Sequence, residues 1–356
     1  MRLFNDKAIE VRDVLVLLCL SMLIFSSCTQ APATEEVSPE SEVQQETEPP
    51  ADTVEEESPQ ALADTEPPPT ETTEPTPSPT TDMRSAQVVF ISNRSGDENA
   101  RQLHVLDLET NEITFLDTGM ENLAYPTWSP DGTKILFVDV NNFFLYTINA
   151  DGTNLTQITD FRANSADWSP DGLSIVFQSD HAGEPENVPD LYTMNLDGSG
   201  LTKIVENLTV PDYGPHWSLM GNLISFVSYM DGAPAIYTIN PDGSALTRIS
   251  GEGVTLFNAA ISPSGSQFVF VVKLDAEQIS KLFLYDVNDP ESGLFQLTDE
   301  ASSEDLPNWA PDGTKIVFNL IHDRTYDIWL VNVDGSGLTA LTDDEYLNLF
   351  PDIWTP

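Results

Sequence analysis

Residues 128–159 read WSPDGTKILFVDVNNFFLYTINADGTNLTQIT, and this stretch decides the fold. Apolar residues of β-branched and aromatic type recur in three short runs. Runs of this kind, bounded by turn residues, predict strands. The Asp-Gly pairs between them predict tight turns, because glycine accepts a positive φ. The opening Trp-Ser-Pro-Asp-Gly returns at 168–172. Degenerate copies follow as Trp217-Ser-Leu-Met-Gly, Ile261-Ser-Pro-Ser-Gly and Trp309-Ala-Pro-Asp-Gly, and Trp354-Thr-Pro ends the chain.

Further columns keep the same period. Nine residues after each anchor stands Phe137, Phe177, Phe226, Phe270 or Phe318, with Phe90 in the same place in the first repeat. A later strand ends in Asp107, Asn149, Asn195, Asn240, Asp286 or Asn332. Three residues before each of these stands His104, Tyr146, Tyr192, Tyr237, Phe283 or Trp329. A last short strand begins at Ile113, Leu155, Leu201, Leu246, Leu294 or Leu338. Each repeat therefore offers four strands, A to D, and no helical pattern competes. Four-stranded units of about 40–50 residues are the signature of a β-propeller. Residues 86–117 lack a strand A, while 350–356 are a strand A with nothing after it. Pairing these two segments makes six blades: 86–117 with 350–356, then about 124–159, 164–206, 213–250, 257–298 and 305–342. The expected fold is all-β, a six-bladed propeller closed through its N- and C-terminal strands.

The Trp-Ser-Pro-Asp-Gly-x-x-Ile-x-Phe pattern, followed by Leu-Tyr-x-x-Asn-x-Asp-Gly, resembles the WD40-like repeats (PD40) of TolB-type propellers. The resemblance covers 86–356 and speaks for architecture more than for activity, since one fold hosts many functions. TolB-type proteins carry an α/β domain before the propeller, and here an acidic segment stands in that place. Dipeptidyl-peptidase-like enzymes with similar propellers add a hydrolase domain after them. The chain ends at Pro356, so that activity is not expected.

The segment ahead of the repeats divides in two. Residues 1–27 read as a lipoprotein signal peptide, with Arg2, Lys7 and Arg12 ahead of an apolar run from Val14 to Phe25. That run is shorter than the roughly 20 residues of a membrane span and fits a signal-peptide core. Ser26-Ser27-Cys28 resembles a lipobox, which makes Cys28 the lipidated residue. Residues 28–85 are dominated by Glu, Pro, Thr and Ser, without an aromatic. They are expected to form a disordered acidic linker, because so few apolar groups cannot offset the entropy of ordering.

Charge and cysteine usage narrow the function. Asp and Glu number 58 against 14 Lys and Arg, a net charge of −44. Nucleic acid is excluded as a partner, because phosphate binding needs a basic footprint. The only cysteines are Cys19 and Cys28, so the head has no disulfide or zinc cluster. Asn149-Ala-Asp151-Gly-Thr-Asn154 lacks the spacing of a calcium loop and reads as a capped turn. No Gly-x-Ser-x-Gly elbow occurs, and His104, His181, His216 and His322 are far apart in sequence.

Strand A lines the central channel of a propeller. Just before the anchors stand Thr127, Asp167, His216, Ala260, Asn308 and Ile353, with Asp305 and Asp352 nearby. Asp167, His216, Asp305, Asn308 and Asp352 are the candidate binding residues at the channel mouth. Tyr125, Tyr213, Tyr229, Phe257, Tyr326 and Phe350 lie on or near the same face. So do the B–C loops, whose lengths vary; such loops are where recognition residues collect. The expectation is a non-enzymatic, monomeric binding head without a cofactor, exported and lipid-anchored at a membrane face or cell surface. Its partner would be an envelope or extracellular protein with a basic patch, or a glycan. The alternative is a metal-dependent polysaccharide lyase or hydrolase acting in the channel.

Overall fold

The computed structural model describes residues 85–94, 100–180, 189–205, 212–250, 256–274, 279–299, 302–322 and 325–356. The signal sequence, Cys28, the acidic linker and His181 lie outside the described residues.

The strands in chain order are β1 (Gln87–Ser92), β2 (Gln102–Asp107), β3 (Ile113–Leu116), β4 (Leu123–Trp128), β5 (Lys134–Asp139), β6 (Phe144–Asn149), β7 (Thr156–Gln157) and β8 (Asn164–Trp168). Next come β9 (Ser174–Ser179), β10 (Asp190–Asn195), β11 (Thr202–Lys203), β12 (Asp212–Trp217), β13 (Ile224–Ser228), β14 (Ala235–Ile239), β15 (Thr247–Arg248) and β16 (Leu256–Ile261). The last eight are β17 (Gln267–Leu274), β18 (Ile279–Asp286), β19 (Phe295–Gln296), β20 (Ser303–Trp309), β21 (Lys315–His322), β22 (Thr325–Asn332), β23 (Thr339–Ala340) and β24 (Asn348–Trp354). They form six four-stranded antiparallel sheets, β24-β1-β2-β3 and five sheets of consecutive strands. The first sheet joins both ends of the repeat region, as the sequence requires.

The repeated columns are the packing units. Phe90, Phe137, Phe177, Phe226 and Phe318 are fully buried and Phe270 nearly so. Each lies opposite the aromatic column of the next strand: Phe137 pairs with Tyr146 and Phe177 with Tyr192. Their ring centroids are 5.9 and 6.1 Å apart. His104 occupies this column opposite Phe90, at 5.7 Å. Burial drives its pKa down to about 4, so it is a neutral core ring. The anchor tryptophans join blades: Trp168 Nε1 donates to the Thr127 carbonyl at 3.2 Å and Trp309 Nε1 to the Ala260 carbonyl at 3.1 Å.

The Asp-Gly segments are turns, not ligand loops. Asp151, Asp197, Asp242 and Asp334 each accept the backbone N–H and the hydroxyl of the residue two places on. Strand D is shorter than its sequence pattern suggests. Except for β3 it has two residues per blade and starts one residue late. Short outer strands leave little free edge to pair with another chain.

One register differs from expectation. Ile353 pairs with Val88 as Trp128 pairs with Ile135, so Ile353 takes the place of the anchor. Asp352 therefore fills the channel column assigned to Ile353, and Trp354 sits one residue beyond the tryptophan column. Its indole lies instead on the turn of the next blade, where Nε1 donates to the Pro130 carbonyl at 3.3 Å.

Candidate functional site

Every inner strand is broken at the same place. Tyr125, Ser165, Gly214, Asn258, Leu306 and Phe350 all have φ between 37° and 54°. The pairing with strand B slips there in all six blades. This is a β-bulge, which bends a strand and re-aims its side chains. A left-handed residue other than glycine costs about 1–2 kcal/mol, and five of the six are not glycine. The next residue is Pro126, Ala166, Pro215, Ala259, Pro307 or Pro351. Proline is tolerated where the ladder is interrupted, because it has no N–H to pair. The bulges were missed in the sequence, although Tyr-Pro, Gly-Pro, Leu-Pro and Phe-Pro inside apparent central strands signal them.

The bulges shape an upper cavity of about 110 Å³ on the side where the inner strands begin. Tyr125, Tyr213, Tyr229, Phe257 and Phe350 form its collar with the four prolines, and Tyr125 and Phe350 lie ring to ring at 4.4 Å. A lower cavity of about 90 Å³ lies on the side of the Trp-Ser-Pro turns. Thr127, Asp167, His216 and Asn308 line both cavities and form the waist between them. Asp352 lines only the lower one.

Four of the five candidate residues thus line the channel. Asp305 does not: its carboxylate accepts from Asn258 Nδ2 at 2.6 Å and from the Leu306 N–H at 2.9 Å, where it braces a bulge. Tyr326 lies beside the collar, buried in the cluster that holds Leu349 and Phe350.

The two channel aspartates staple neighbouring blades. Asp352 accepts the Trp128 N–H at 2.7 Å, and Asp167 accepts the N–H groups of Trp217 and Trp168, both at 2.8 Å. Thr127 Oγ1 donates to Asp167 at 3.4 Å. His216 Nδ1 lies 3.8 Å from Asp167. Burial pushes the Asp167 carboxyl up, against the pull of His216 and of the donated hydrogen bonds. Burial likewise pushes His216 down. Asp352 is pushed up to about 7, mainly by burial and further by the negative charge of Asp167. Asp305 is raised by burial as well.

The channel is therefore a polar waist of buried titratable groups below an aromatic collar. Among the described residues no three His, Cys, Asp or Glu side chains are placed to hold a metal ion. His104 is in the core of the first blade and His216 in the channel, so they do not converge.

Comparison with known proteins agrees with this architecture. The profile of the TolB β-propeller domain (PD40) matches residues 186–356, and that of the dipeptidyl peptidase IV N-terminal region matches 88–164. The Tol-Pal system protein TolB of Alcanivorax borkumensis is 30% identical over 97 residues, 26% of this chain and 22% of that protein. The alignment thus spans under a quarter of that relative. The crystal structure of TolB from Acinetobacter baumannii superposes with a TM-score of 0.64 at 19% identity, covering 75% of this chain and 66% of that one. An oligogalacturonate lyase in complex with manganese also superposes, with a TM-score of 0.51 at 16% identity over 71% of this chain and 73% of the lyase. At such identities these superpositions establish the fold. The head of this chain is a six-bladed β-propeller similar in fold to those of TolB, and its residues 186–356 match the PD40 profile.

Proposed function

We propose that this chain is a cell-envelope lipoprotein that presents its propeller as a protein-binding module, with the mouth of the upper cavity as the contact surface. The observation that carries the reading is the aromatic and proline collar held on six rigid bulges. Concave, largely apolar surfaces with a few convergent polar groups are the usual form of a recognition site. The head carries 40 acids and 10 bases, so its field favours a partner with a basic patch and repels polyanions. The lyase reading draws on fold likeness alone. An anionic sugar would meet Asp167 and Asp352 with no metal-ligand cluster among the described residues to neutralise them.

A photo-crosslinking residue at Tyr229, on the collar, should trap a protein adduct in intact cells. The same residue at Leu173, two-thirds exposed on a Trp-Ser-Pro-Asp-Gly turn, should not. The on-rate of the isolated partner should fall as salt rises from 0.01 to about 0.15 M, where the Debye length shrinks from about 30 to 8 Å. Adducts formed only from Leu173 would move the contact surface to the opposite face.

The anchor half of the proposal rests on Ser26-Ser27-Cys28. Replacing Cys28 by Ser should release the protein from the membrane fraction, because stable anchoring needs more than one acyl chain. Unchanged partitioning of Cys28→Ser would sink the lipoprotein reading and leave the propeller reading intact.

A further inference from the structure

The upper cavity joins two kinds of wall. Its sides are the rings of Tyr125, Tyr213, Tyr229, Phe257 and Phe350, and its floor holds Asp167, His216 and Asn308. Among the described residues no Lys or Arg lines either channel cavity. The Asp167 side chain is still 19% exposed, where it borders the cavities. A second carboxylate, Asp352, lies close enough to repel it. Its basic neighbour is His216, which burial keeps neutral. Negative charge at the floor therefore meets no Lys or Arg among the described residues that line the channel.

A ring collar above a carboxylate suits one class of group. Aromatic faces attract a guanidinium or ammonium. The long stem of Arg or Lys packs on apolar walls while its head reaches a polar floor. A carboxylate or phosphate would be repelled by Asp167, and a neutral group would leave its charge unpaired. Resting on the protein-binding reading, we propose that the upper cavity is a subsite for a single Arg or Lys side chain of the partner, its charged head on Asp167 and its stem within the aromatic collar.

The arrangement couples binding to protons. A cation favours the ionised form of Asp167, so its arrival expels a proton from the waist, and affinity rises with pH. The titratable groups facing Asp167 are His216 and Asp352; Tyr125, Tyr213 and Tyr229 stand on the walls. Asp305 lines neither cavity, its carboxylate held by Asn258 and the Leu306 N–H.

The test titrates the full chain in detergent with N-acetyl-arginine amide, and with N-acetyl-citrulline amide as the neutral isostere. Both are taken to 50 mM at constant ionic strength, and saturation is followed through the indole N–H resonances. Arginine amide should bind saturably and at least fivefold more tightly at pH 8 than at pH 5.5, while the citrulline analogue should not saturate. Asp167→Asn, which keeps an acceptor for the Trp217 N–H, should weaken binding at least fivefold and flatten the pH profile. Tyr229→Leu, away from that staple, should also weaken it, and Asp305→Asn should change it less than twofold. No saturation by 50 mM, equal binding of the two analogues, or an unaltered Asp167→Asn would overturn the subsite. So would displacement of the probe by equimolar calcium, which would assign the floor to a metal ion. If the subsite fails while Tyr229 crosslinks persist, the protein-binding reading stands without it; if both fail, the mouth is not a contact surface.

Discussion

Removal of residues 348–356 is expected to leave the head unfolded at room temperature. β24 is the inner strand of the first blade, in register with β1 from Gln87–Trp354 to Ser92–Asn348. Leu349, Phe350, Ile353 and Trp354 are each at most 5% exposed. Burial of one such side chain contributes about 1.5–3 kcal/mol, so four together approach the roughly 5–15 kcal/mol that keeps a domain folded. The deletion also strips Asp352 from the Trp128 N–H and Asn348 from Ser92 and Arg94. A milder probe of the same seam is Gly132→Ala. Gly132 has φ +64°, and a Cβ there would stand 2.3 Å from the Trp354 ring. The left-handed penalty and the overlap should together cost about 3 kcal/mol. Gly172→Ala has the same backbone (φ +67°) but its nearest neighbour is 3.8 Å away, so about 1 kcal/mol is expected. Urea denaturation of both variants measures the seam. Equal losses, or a truncated chain that still unfolds cooperatively, would mean that the ring does not close through its termini.

What the sequence made legible was whatever the geometry forces to repeat. A blade must offer its neighbour the same shape each time, so Phe137 and its counterparts recur at one spacing and Trp168 and Trp309 meet the same carbonyl of the blade before. The Asp-Gly turns repeat for the same reason, because each hairpin needs a left-handed residue. The last strand breaks the rule: Trp354 lies one residue past its column, and its indole meets the turn of the next blade. That shift is why Asp352, not Ile353, reaches the channel. Asp305 was misplaced for a local reason. It stands one residue before Leu306, and a left-handed bulge sends adjacent side chains in directions that strand alternation does not anticipate. Asp167, His216 and Asp352 were grouped at the channel from their columns, but the direct approach of His216 to Asp167 was not legible, because residues 49 apart meet only when neighbouring blades pack.

Asp352→Asn is expected to stabilise the head by about 4 kcal/mol at pH 8 and by almost nothing at pH 4. The Asp352 carboxyl titrates near 3.8 in the unfolded chain and at about 7 in the folded one. Between those values the folded protein holds a proton that the unfolded chain has released. Wild-type stability therefore declines as pH rises through this window, by about 1.4 kcal/mol for each unit of displacement. Above pH 7 the full cost of an ionised carboxylate beside Asp167 is present. Asparagine stays neutral throughout and still offers the Trp128 N–H an oxygen. The buried histidines pull the other way: His104, with its pKa near 4, and His216 stay unprotonated in the fold while the unfolded chain binds protons below about 6.5. That loss falls on wild type and variant alike, so the difference between their stabilities isolates Asp352. Urea unfolding at pH 4, 5, 6, 7 and 8 should show the gap opening with a midpoint between pH 5 and 7. A gap independent of pH would mean that the Asp352 carboxyl is ionised in the fold at no cost. Thr127 and Asn308 occupy the same column without any such penalty. An acceptor for the Trp128 N–H is all that the fold itself asks of position 352, and asparagine supplies one without that penalty.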